Sequence, residues 1–155
     1  AFGKALTDKT SRAEIKKALT EGRLSGAEGL VGEPQLRDGD LGLILGAMLT
    51  ELPQETETQG RKNAKELVEA VFERGISSGK KADRLHAAVC AGRWAAQVME
   101  DPVLAKKWFE RAAKIDPEDP SVQGGLEWVA QREKYAKDRE RDAEELRKSR
   151  KGTRS

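Results

Sequence analysis

The chain has 155 residues, 36% of them charged and 5% aromatic, with a net charge of +2, five prolines and one cysteine. That balance fits one domain with a modest core and many solvated helix faces. It excludes a disulfide scaffold, and it is too weakly charged to imply a nucleic acid or a membrane surface by itself. No apolar run approaches the roughly 18 residues of a membrane span. The absence of long β-branched runs argues against a sheet. The chain starts at Ala1, so a processed N-terminus is expected, in a soluble, intracellular or organellar protein.

Residues 1–39 read as one helix and a glycine-rich segment. Ser11 with Glu14 predicts a capping box at a helix start. Ile15, Ala18 and Leu19 give that helix one short apolar face, and Gly22 stops it. Gly22, Gly26, Gly29, Gly32 and Pro34 then mark a long loop, pinned by Leu24, Leu30 and Val31. Its glycines lack the G-x-G-x-x-G spacing, no Gly-Lys-Ser/Thr follows, and no strand precedes them. An irregular connection and contact surface is therefore expected rather than a nucleotide site.

Asp40 is expected to cap the next helix. Leu41, Leu43, Ile44, Leu45, Ala47, Met48, Leu49 and Leu52 make that helix apolar nearly all round, so it belongs in a core. Pro53 ends it, and a polar connection runs to Gly60. A helix over Asn63–Arg74 follows, with Ala64, Leu67, Val68, Val71 and Phe72 inward and Gly75 closing it. Lys81–Glu100 is apolar on two adjoining faces. Leu85, Ala88, Gly92, Ala95 and Met99 form one, and Ala87, Ala91, Trp94 and Val98 the other. Only His86, Cys90, Arg93 and Gln97 make a mixed stripe. Such a helix is packed from more than one side. Asp101-Pro102 supplies an N-cap and a first-turn proline for a helix over Pro102–Lys114. Val103, Leu104, Ala105, Trp108, Phe109, Ala112 and Ile115 are expected on its inner side. Asp116 to Pro120 form the next turn.

Ala105-x3-Phe109-x2-Ala112-x4-Pro117 resembles the second half of a tetratricopeptide repeat (TPR), a motif of about 34 residues. Small residues at 105 and 112 let helices approach, and Phe109 fills the gap between repeats. Ala64, Val68 and Val71 stand 41 positions before Ala105, Phe109 and Ala112, and Asp40 stands 41 before Lys81. Two degenerate repeats, 40–75 and 81–116, are read within a body spanning 40–130. The resemblance implies an all-α, right-handed, TPR-like superhelix. It also implies a protein-binding groove lined by the first helix of a pair, here at His86, Cys90, Arg93 and Gln97. The family's clamp for C-terminal carboxylates has no recognisable counterpart.

From Ser121 a long helix begins. Val122, Leu126, Trp128, Val129 and Tyr135 are expected to pack on the preceding pair. Residues 131–155 are a charged extension with ten Lys or Arg against six Asp or Glu, a net +4. Four i,i+4 pairs are expected to support it: Glu133–Lys137, Lys134–Asp138, Arg141–Glu145 and Glu144–Lys148. Arg147, Lys148, Arg150 and Lys151 form a basic tail suited to phosphate contacts but without aromatic residues for base stacking.

The residues give little chemistry. His86 and Cys90 have ligand spacing at i,i+4, but no second histidine or C-x-x-C completes a zinc site, so no metal or cofactor is expected. The carboxylates sit on charged faces beside compensating bases, and no serine stands in G-x-S-x-G, so an enzyme is not expected. The reading is a protein–protein interaction module, an adaptor or an accessory subunit of a larger assembly. The alternative is a nucleic-acid-associated protein that uses the basic tail.

Overall fold

The computed structural model describes residues 9–24, 36–52 and 59–152. Among them every regular element is helical. The order is α1 (Lys9–Thr20), α2 (Asp38–Ala47) continued by a 3-10 turn (Met48–Glu51), α3 (Gln59–Ile76), α4 (Lys81–Gln97), α5 (Pro102–Ile115) and α6 (Pro120–Gly152). The chain is therefore all-α over these residues.

Helix α4 is the hub, in contact with α2, α3, α5 and α6. Its buried set runs from Ala87 through Cys90 and Trp94 to Ala95, which covers most of its circumference, as its apolar pattern predicts. Helix α5 is one-sided instead. Ala105, Trp108, Phe109 and Ala112 are buried, while Lys106, Lys107, Glu110 and Lys114 face solvent. All six positions of the suspected repeat (Ala64, Val68, Val71, Ala105, Phe109 and Ala112) lie in the core.

Three aromatic rings form the centre. Phe72 lies 5.6 Å from Trp94 and 6.0 Å from Trp108 between ring centroids, both at tilted angles. Burying one such side chain contributes about 1.5–3 kcal/mol, and a tilted aromatic pair about 0.5–1.5 more. The indole N–H groups of Trp94 and Trp108 are buried without an acceptor among the described residues. An unmade bond of this kind costs about 1–3 kcal/mol, so it offsets much of what each indole gains. Gly42 and Gly46 make room for these rings. A Cβ on Gly42 would stand 2.4 Å from Phe72 Cε1, and one on Gly46 2.4 Å from Trp94 Cδ1. Each glycine costs helix α2 about 1 kcal/mol of propensity and lets an aromatic ring lie directly on its backbone.

The turns follow the sequence closely in places. The Asp101 carboxylate accepts from Leu104 N at 3.1 Å, with Pro102 opening α5. The Asp119 carboxylate accepts from Ser121 N at 3.0 Å and from Val122 N, capping α6. Glu100 takes a positive φ of 51° just before that first cap, and Gly22 one of 76° after α1.

Other expectations are corrected. Helix α1 already includes Lys9, so Ser11 lies inside it and is not its cap. Helix α2 starts at Asp38, which puts Asp40 in the first turn, and its carboxylate is engaged elsewhere. Gly75 lies within α3 as a point of close approach: a Cβ there would stand 2.5 Å from Ala87 Cβ. Val103 is 81% exposed because the first turn of α5 directs it outward, and Tyr135 is 60% exposed because the body ends before it. In α6, Glu133 reaches across to Lys106 on α5 at 3.1 Å, and Arg141 and Arg147 pair at i,i+3 with Asp138 and Glu144. Most of the glycine-rich loop and the connection after Pro53 lie outside the described residues.

Candidate functional site

The stripe His86, Cys90, Arg93 and Gln97 does not form one surface. It divides along α4 into two places of different chemistry.

The C-terminal half opens on a groove between α4, α5 and α6, with a volume of about 570 Å³. Arg93 and Gln97 line it from α4, Glu100 from the turn that follows, Phe109 from α5, and Gly124, Gly125, Trp128 and Arg132 from α6. The groove exists because α6 carries two glycines where it crosses Phe109. The edge of that ring rests on Gly125 and on Gly92, and a Cβ would meet Cε1 at 2.3 Å from the first and 2.6 Å from the second. With no side chain at 124 or 125, the wall is backbone and ring. Arg132 stacks over Trp128 with its guanidinium carbon 5.2 Å from the ring centroid. Arg93 is exposed. The groove thus offers an aromatic floor, two guanidinium groups and one carboxylate, Glu100. Such a combination favours a ligand with an apolar contact and a negative charge.

The N-terminal half faces α2. His86 Nε2 lies 2.8 Å from Asp40 Oδ1, the imidazole nitrogen donating to the carboxylate. Cys90 Sγ lies 3.5 Å from the same nitrogen. Asp40 keeps its other oxygen 3.6 Å from Arg37 Nε. Beside this cluster, Arg74 grips Asp38 through two hydrogen bonds of 2.7 and 3.1 Å, which fixes the start of α2 against α3. Cys90 is 2% exposed, so a partner reaches His86 but not the thiol. Burial, with the Asp40 carboxylate adding to it, pushes that thiol up to about 11. The resting sulfur is therefore a protonated thiol and a poor nucleophile at neutral pH.

Asp40 is the residue that sequence reasoning missed. It reads as a helix cap, and its partner lies 46 positions away on another helix. Trp128, Arg132 and the glycine pair were also missed as groove residues, since nothing local marks a wall shared by three helices. The tail residues Arg147, Lys148, Arg150 and Lys151 are all exposed on α6, as are all of residues 139–151. Among the described residues no helix is long and apolar enough to cross a membrane. No protein-family model, curated protein or solved structure matches the chain.

Proposed function

We propose that the chain is a protein–protein interaction module, an adaptor or accessory subunit built from two TPR-like helix pairs. Its α4–α5–α6 groove receives an acidic segment of the partner. The observation that carries this reading is that Arg93 and Arg132 line the same groove as the aromatic rings of Phe109 and Trp128. Helix α6 closes the open face of the second pair and so serves as the cap that stacked helix pairs require. The burial of Ala64, Val68, Val71, Ala105, Phe109 and Ala112 supports the repeat reading, since these six positions set the spacing between helices. The test is Arg93→Glu. Reversing one exposed guanidinium turns an attraction into a repulsion, which near a protein surface is worth about 1–2 kcal/mol, roughly tenfold in affinity. Arg93 is exposed, so helicity and unfolding midpoint stay as in the parent. Unchanged binding with helicity kept removes the groove from the account.

The alternative, nucleic-acid association through the tail, rests on the exposed basic residues at the end of α6. It requires binding that falls steeply with salt and is lost on truncation after Lys137.

A further inference from the structure

Asp40, His86 and Cys90 bring three different ligand groups together, with donor atoms all within 4.8 Å of one another. We propose that this cluster binds a divalent cation of the zinc class. The ligands are Cys90 Sγ, His86 Nε2 and Asp40 Oδ1, with water in the fourth position.

The distances carry the proposal. Zinc bonds run about 2.3 Å to sulfur and about 2.0–2.1 Å to nitrogen or oxygen, so two ligands at a tetrahedral angle stand about 3.3–3.6 Å apart. Sγ and Nε2 are already 3.5 Å apart. Nε2 and Oδ1, drawn to 2.8 Å by their hydrogen bond, need to part by about 0.5 Å to admit the ion. The Asp40 side chain is 38% exposed and has room for that movement. The donor set is selective too, since sulfur with imidazole suits zinc and disfavours magnesium or calcium.

The fold builds the site from distant parts. His86 and Cys90 are one turn apart on α4, and Asp40 comes from the first turn of α2. Gly39 is what lets the two helices meet. A Cβ there would stand 2.8 Å from His86 Cδ2, 3.1 Å from Ala87 Cα and 3.2 Å from Cys90 Sγ. Arg37, on the far oxygen of Asp40, turns Oδ1 toward the ring, the role an outer partner plays around a metal. The buried thiol forms the floor, and the half-exposed His86 and Asp40 leave the entry open. On binding, three coordination bonds form. The thiol proton leaves to solvent, and the imidazole hydrogen relocates from Nε2 to Nδ1. A site with three protein ligands keeps one position for an exchangeable donor. This inference does not depend on the groove.

The experiment is a cobalt(II) titration of the full chain after chelator treatment, followed by displacement with zinc. One equivalent is expected to bind, with a thiolate-to-cobalt charge-transfer band that zinc abolishes. Cys90→Ser removes the band. Asp40→Asn and His86→Gln weaken zinc binding at least about tenfold, because even an outer partner is worth ~10–100-fold. Both substitutions fall at half-exposed positions, so they decide the matter even where the buried Cys90→Ser fails to fold. The absence of a thiolate band, or zinc affinity unchanged in Asp40→Asn and His86→Gln with helicity retained, overturns the proposal.

Discussion

Two adjacent glycines on α6 are predicted to respond differently to the same substitution. Gly124 has open space where a side chain would begin, while a Cβ on Gly125 would stand 2.3, 2.4 and 2.5 Å from three atoms of the Phe109 ring. Ordinary carbon contacts lie at about 3.5–4.0 Å, so the ring must retreat by more than about 1 Å. Its edge is also set against Gly92, at 2.6–2.7 Å from a would-be Cβ, so retreat unpacks a second helix. Alanine gains about 0.8–1 kcal/mol over glycine in a helix at either position. At Gly125 this is opposed by overpacking, about 1–3 kcal/mol. Gly124→Ala is thus stabilising by up to about 1 kcal/mol, and Gly125→Ala is neutral to about 2 kcal/mol destabilising. The propensity gain cancels between the two variants, so their difference of about 1–3 kcal/mol reports packing alone. With a urea slope of about 1.5 kcal/mol/M, the midpoints separate by about 0.7–2 M. Equilibrium urea unfolding followed by far-ultraviolet circular dichroism measures this directly. If Gly125→Ala stabilises as much as Gly124→Ala, Phe109 is not seated between α4 and α6, and the groove described above does not exist in that form.

Two further outcomes are expected. Hydrogen bonds from Arg111 hold the Glu73 carboxyl below its ordinary value of 4.5, joining α3 to α5. A carboxyl lowered on folding stabilises above its ordinary range, and that contribution is lost as pH falls through the lowered value. Glu73→Gln therefore costs about 1 kcal/mol or less near neutral pH, since both side chains are partly exposed, and the difference from the parent vanishes in acid when urea midpoints are compared across pH. Truncation after Lys137 is expected to leave the unfolding free energy of the body within about 0.5 kcal/mol, because residues 139–151 are exposed and Asp138 is only half-buried. A larger loss in the same urea assay means that the extension packs on something.

The sequence reveals elements where one local signal has one cause. Asp101-Pro102 can only start a helix well, and it does. The two apolar faces of Lys81–Glu100 require neighbours on several sides, and α4 has four. Legibility fails where one residue type serves two ends. A glycine near a helix end reads as a stop, yet Gly75 is there for contact with Ala87. An aspartate before an apolar run reads as a cap, yet Asp40 turns to His86. A stripe on one helix reads as one surface. Yet α2 and α6 divide it, because which neighbour covers which turn is decided by packing between segments far apart in the chain. The ion pairs of α6 depart from the i,i+4 pattern for a simpler reason: long side chains reach i+3 as readily as i+4, and Glu133 reaches α5 instead.

The helical body is proposed to hold a protein partner through its groove. That binding is tested most directly by affinity capture from the native source, with mass spectrometry of what is retained. Three forms are compared: the full chain, the chain ending at Lys137, and Arg93→Glu. One stoichiometric protein is predicted to come down with the first two forms and to be strongly depleted with the third. A catch of nucleic acid or ribosomal material that vanishes with the tail or in high salt, and is indifferent to Arg93→Glu, would contradict the account.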